Sequence, residues 1–161
     1  MTLAHGGRAD FRGRNNTLYN FISSQNVSLN IKTEDSTFKL GRLTVYGSFI
    51  TEVHLVLKTD AGRFFNISYQ TNKLNDGGWS WFTISGACSK PGNRNPFTLG
   101  IHATKVCDNL SVSIKQVTTS IDTAEWLFFI RSRPVYDRLV GPKHRIDLAV
   151  QQKVSDADFA V

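Results

Sequence analysis

The sequence is poor in the residues that most often carry chemistry. Only two cysteines, Cys88 and Cys107, and four histidines, His5, His54, His102 and His144, occur in the chain. Neither cysteine sits in a C-x-x-C spacing and the histidines are dispersed, which excludes the usual zinc frameworks. Three of the thirteen acids are glutamate and the aspartates are scattered, so paired-carboxylate catalysis has little to work with. There is no G-x-S-x-G, no Walker loop, no H-E-x-x-H and no EF-hand loop. No catalytic, cofactor or metal site is therefore assigned, and an enzyme ranks last among the functions considered. His54, on the polar side of a long alternating run, reads as a surface histidine. No apolar run reaches the length of a membrane span. The start, MTLAHGGRAD, lacks the charged and apolar parts of a signal peptide. Either a cytosolic protein or a piece of a longer secreted chain fits that start. Because Ser155–Val161 also ends without a helix or charged tail, the second is the expectation.

What is present is β-forming sequence. Hydrophobic residues at 40% and eleven Phe argue for a globular chain, and 161 residues suit a single domain with a real core. After a short edge strand at Ala9–Arg12 and a turn at Gly13–Asn16, Val27, Leu29 and Ile31 alternate with polar residues. That is the period-2 pattern of a half-buried strand. Thr33–Ser36 reads as a polar turn. The longest alternation runs from Arg42 to Lys58, with Gly47 expected at a bulge. Asp60–Gly62 and Asn75–Gly78 are hairpin turns, and Gly86–Pro96 is a loop. Further strands are expected at Phe97–Ile101, Leu110–Lys115, Ala124–Ile130 and His144–Val150. Regular spacing of turns argues for a sandwich or barrel of antiparallel sheets, and the expectation is an all-β fold, an antiparallel β-sandwich of about nine to twelve short strands. The expected core includes Phe11, Leu18, Phe21, Val27, Leu29, Ile31, Leu43, Val45, Phe49, Val53, Leu55, Leu57, Phe65, Ile67, Trp126, Phe128, Ile130, Ile146 and Leu148.

Net charge is +6, which favours anionic partners. The basic residues are mostly scattered, and the densest group is Arg131, Arg133, Arg138, Lys143 and Arg145 beside His144. This is a possible anion patch, and ordinary solvated strands are the alternative. Cys88 and Cys107 are spaced for a disulfide, whose loop closure would contribute about 3 kcal/mol. Two buried thiols in a reducing compartment are the alternative. Four N-x-[ST] sequons begin at Asn15, Asn26, Asn66 and Asn109. Asn15 and Asn109 fall at turns, Asn26 and Asn66 on polar strand faces. With the cysteine pair they point to the secretory pathway. Trp79 and Trp81 share a strand face beside a Gly-rich turn, which suits either a sugar-stacking platform or a core.

The opening Gly7-Arg8-Ala9-Asp10-Phe11-Arg12-Gly13, followed by Tyr19-Asn20-Phe21 and the alternating Val27–Ile31, resembles the von Willebrand factor type D domain and the related plant root-cap proteins. The similarity covers about 30 residues. It implies a secreted or surface-exposed β domain in a larger modular protein, used for assembly or adhesion. The dense cysteine framework of animal type D domains has no counterpart here. The leading expectation is a non-catalytic structural or adhesion module that meets other domains of its own chain or other copies of itself. An unpaired edge is expected at Val150–Val154 and 157–161. The alternatives are a carbohydrate-binding module using Trp79 and Trp81 against polysaccharide, or a self-assembling shell protein whose cationic side faces nucleic acid.

Overall fold

A computed structural model describes residues 12–75, 84–93 and 95–153. Residues 9–11 of the expected edge strand Ala9–Arg12, together with His5, Trp79, Trp81 and 154–161, lie outside the described residues, and Arg12 is not in a strand. The fold is all-β, with twelve antiparallel strands among the described residues: β1 (Thr17–Ser23), β2 (Val27–Leu40), β3 (Leu43–Lys58), β4 (Phe64–Gln70), β5 (Ile84–Ser89), β6 (Pro96–Leu99), β7 (Thr104–Cys107), β8 (Leu110–Lys115), β9 (Thr118–Asp122), β10 (Trp126–Pro134), β11 (Arg138–Val140) and β12 (His144–Gln152). Nine of them, in the order β6-β5-β4-β3-β12-β10-β9-β8-β7, sweep through 309° as a nearly closed, barrel-like sheet. The expected flat sandwich is corrected by this. One pairing, Ile146 with Ile50, joins β12 to β3, so the sheet turns the corner instead of splitting into two layers.

The alternation read from sequence builds one wall of the core. Leu29, Leu55 and Ile67 lie side by side in register, as do Val27, Leu57, Phe65 and Cys88, and Ile31, Val53, Tyr69 and Ile84. Val112, Ile121 and Phe128 form an equivalent row on β8, β9 and β10. All are buried, and each large apolar side chain taken from water contributes roughly 1.5–3 kcal/mol. Tyr69 reaches Ser132 on β10; burial pushes its hydroxyl pKa up, and the hydrogen bond to Ser132 partly offsets that.

Several expectations fail for local reasons. Thr33–Ser36 is continuous strand, because its inward polar groups find partners. Thr33 and Ser36 are buried, and the Thr33 hydroxyl donates to the Arg14 carbonyl at 2.7 Å. The bulge in β3 falls at Thr51, between the pairs Lys32–Glu52 and Thr33–Ile50, not at Gly47. A Cβ at Gly47 would meet the Phe38 ring at 3.5 Å, an ordinary contact, so packing there does not require glycine. Gly86 sits inside β5, not in a loop. A Cβ at this position would stand 2.0 Å from the Asn66 carbonyl oxygen, so the neighbouring strand requires glycine. Leu18 and Leu43 leave the expected core: Leu18 pairs with Lys32 on the outer face, and Leu43 is 68% exposed. Phe21, Val45, Phe49, Trp126 and Leu148 are half-buried. Val150–Gln152 is paired to β10 down to Trp126, with the Lys153 amide donating to the Glu125 carbonyl, so β10 covers one side of that expected edge. No helix among the described residues is long and apolar enough to cross a membrane.

Candidate functional site: a clamped mouth and a projecting arm

The two edge strands of the sheet, β6 and β7, are consecutive in sequence but not paired, so the barrel has a seam. Cys107 on β7 bonds to Cys88 on β5, with Cα atoms 5.9 Å apart, and the disulfide read from sequence crosses that seam. The Lys105 ammonium lies 5.5 Å from the Phe97 ring centre across the same gap. At this end the β3–β4 turn grips the β7–β8 turn. Arg63 donates from Nε and Nη2 to the two Asp108 oxygens at 3.0 and 2.9 Å. The Thr59 hydroxyl donates to Asp108 at 2.7 Å, and the Asp60 amide donates to Asn109 Oδ1 at 3.0 Å. The Arg63 bond, then the Thr59 bond, hold the Asp108 carboxyl below the usual carboxylate range; the Asp108 bond raises the Arg63 pKa. Beside the clamp is a cleft of about 190 Å³ with Val27, Leu57, Leu110 and Trp126 among its walls and Asn26, Asp60, Asn109 and Glu125 at its rim. Trp126 stacks on buried Phe128, ring centres 6.3 Å apart.

The other region is an arm. Past the bulge at Thr51, β2 and β3 continue together to the tip pair Leu40–Leu43, with β11 added to the outer side of β2. Directly opposed residues share a face. Phe38 and Leu40 therefore lie with Leu43, Val45 and Phe49 on one side of the arm. The Phe38 and Phe49 rings meet at 5.6 Å, and Arg145 covers the Phe49 ring at 5.5 Å. Leu40, Leu43, Tyr46, Leu139 and Val140 are exposed. Among the described residues, 43–49 of β3 have β2 on one side and no strand on the other.

The remaining sequence candidates separate. Arg131, Arg133 and Arg145 come together on β10 and β12, where Asp147 forms ion pairs with Arg133, at 2.7 Å, and with Arg145. The patch thus carries its own counter-charge. Arg138 is on β11, bonded to the Gly141 carbonyl, and Lys143 is exposed in the segment before β12. Asn15 and Asn109 are exposed in turns and Asn66 is exposed on β4; Asn26 lies in the β1–β2 turn, not in a strand. His102 sits in the β6–β7 turn at φ 64°, and His144 is buried at the start of β12. His54 holds a surprise. Its Nδ1 is 2.9 Å from Ser68 Oγ and its Nε2 2.9 Å from Glu52, an order of hydroxyl, imidazole and acid that the sequence reading missed. Alternation on β3 and β4 places all three on the outer wall, but only the register brings Ser68 beside His54. Both strands are paired on each side, so their amides are committed to the ladder and offer no oxyanion donors there. No group of three or more His, Cys, Asp or Glu among the described residues is placed to hold a metal ion.

No known protein family, curated protein or solved structure matches this chain.

Proposed function

We propose that the chain is a non-catalytic assembly or adhesion module of an extracellular protein, and that it meets a second copy of itself through the arm. The observation that carries this reading is the open edge of β3. An unpaired strand edge offers free N–H and C=O groups to any extended chain, and natural proteins usually guard it with lysine, proline or a bulge. Residues 43–51, LTVYGSFIT, contain none of these guards before Thr51 and no charged side chain at all. In a chain of net charge +6, that neutral edge is where two copies approach with little repulsion. Antiparallel pairing about Tyr46 sets the two Arg42 side chains at opposite ends, about 27 Å apart at ~3.4 Å per residue. That exceeds the Debye length of about 8 Å at physiological salt. Leu43, exposed on β3 itself, would stand opposite Phe49 of the second copy.

Size-exclusion chromatography with light scattering, across a concentration series, tests it. The wild-type protein is expected to associate with rising concentration, and Leu43→Lys to remain monomeric with an unchanged far-UV circular dichroism spectrum. A wild-type chain that stays monomeric at the highest concentration overturns the reading.

A further inference from the structure

Two of the four sequon asparagines, Asn26 and Asn109, line one cleft although they are far apart in sequence. The same cleft has an apolar wall that includes Trp126. Its volume of about 190 Å³ is that of roughly six waters at ~30 Å³ each, enough to admit a pyranose ring. We propose that this cleft seats the first sugar of an N-linked glycan carried by Asn109, with the sugar's C–H face against the Trp126 indole. The proposal rests on the secreted reading above.

Asn109 is the better placed of the two. Its carboxamide is held by the Asp60 amide through Oδ1, which leaves Nδ2 as the atom that takes the sugar. Glycosylation consumes only an Nδ2 hydrogen, so that bond survives the modification. In the transfer, a new bond joins Nδ2 to C1 of the sugar. The bond from C1 to the pyrophosphate of a lipid-linked oligosaccharide donor breaks, and the amide proton leaves with the lipid pyrophosphate. Ser111, which completes the sequon, stands at the second position of β8. The rim then supplies what a sugar's hydroxyls require: the Asp60 and Glu125 carboxylates as acceptors and the Lys58 ammonium as a donor. Trp126 is half-buried at this mouth, and the ring would cover indole surface otherwise left to water.

The full chain is secreted from a eukaryotic host and glycopeptides are read by mass spectrometry at all four sequons. Ser111→Ala removes the sequon while keeping Asn109 and its bond to Asp60. The expected result is an occupied Asn109 and a Tm about 2–4 °C above that of Ser111→Ala. The gain should survive enzymatic trimming to a single N-acetylglucosamine and vanish in a Trp126→Leu background. If that variant does not fold, nuclear Overhauser contacts between the trimmed sugar and the Trp126 ring protons decide instead. An empty Asn109 beside an occupied Asn15 or Asn66 overturns the proposal alone, as does a gain lost on trimming, a gain independent of Trp126, or missing sugar–indole contacts. Four empty sequons together with two alkylatable thiols overturn the secreted reading and the proposal with it.

Discussion

The mouth and the arm use β3 in opposite ways. In its second half, 52–58, β3 is paired on both sides and sends Val53, Leu55 and Leu57 into the core. In its first half, 43–49, the same strand has one neighbour and leaves Leu43 and Tyr46 exposed. Composition does not explain the contrast, since both halves alternate in the same β-prone manner. What differs is the company: β4 ends at Gln70, opposite Glu52, and β12 pairs with β3 only at Ile50. Alternation states that a strand has two faces, and the neighbours decide whether either face is covered.

One substitution made in both halves of β3 should separate them most. Leu55→Ala, in the core, is expected to cost about 2–5 kcal/mol. Leu43→Ala, on the arm, should change stability by no more than about 0.5 kcal/mol. Urea denaturation of each variant measures the difference, and equal losses would mean that the arm is packed in solution. Next in size is the covalent half of the clamp. Replacing both Cys88 and Cys107 by serine should cost about 3 kcal/mol for a closed loop of this length, read as a lower urea midpoint with a larger m-value, because the freed unfolded chain exposes more surface. A variant as stable as the parent would show that the seam holds without its bond.

The smallest effect belongs to the ionic half. Asp108 titrates below its ordinary value of ~3.9 when folded. The stability it contributes is thus fully present above that ordinary value and is lost as pH falls through the lower, folded one. Asp108→Asn should therefore weaken the protein near neutral pH and flatten the decline of Tm below pH ~4. A decline as steep as in the parent would assign acid sensitivity to other carboxylates.

Much of the fold was legible because burial follows alternation. Val27–Ile31, Val53–Leu57, Leu110–Lys115 and Ile146 point inward as their spacing predicts. The failures occur where a neighbour sets the outcome. Thr33–Ser36 looks like a turn until its hydroxyls have partners, and Gly86 looks like a loop until the Asn66 carbonyl stands where its Cβ would be. The choice between sandwich and barrel rests on the single pairing of Ile50 with Ile146, which no local pattern announces. Of the mouth, the disulfide was readable from two lone cysteines. The Arg63–Asp108 clamp and the meeting of Asn26 with Asn109 join distant turns and exist only once the sheet has curled.

The bond between Cys88 and Cys107 also makes a covalent ring, and both edge strands, β6 and β7, lie inside it. Lys90, Pro91, Gly92 and Asn93 form an exposed stretch of that ring. A protease that cuts once among them would sever the chain without releasing either fragment. The nicked protein would migrate as one species in denaturant and as two after reduction. Damage there would stay hidden from any electrophoretic assay run without reductant.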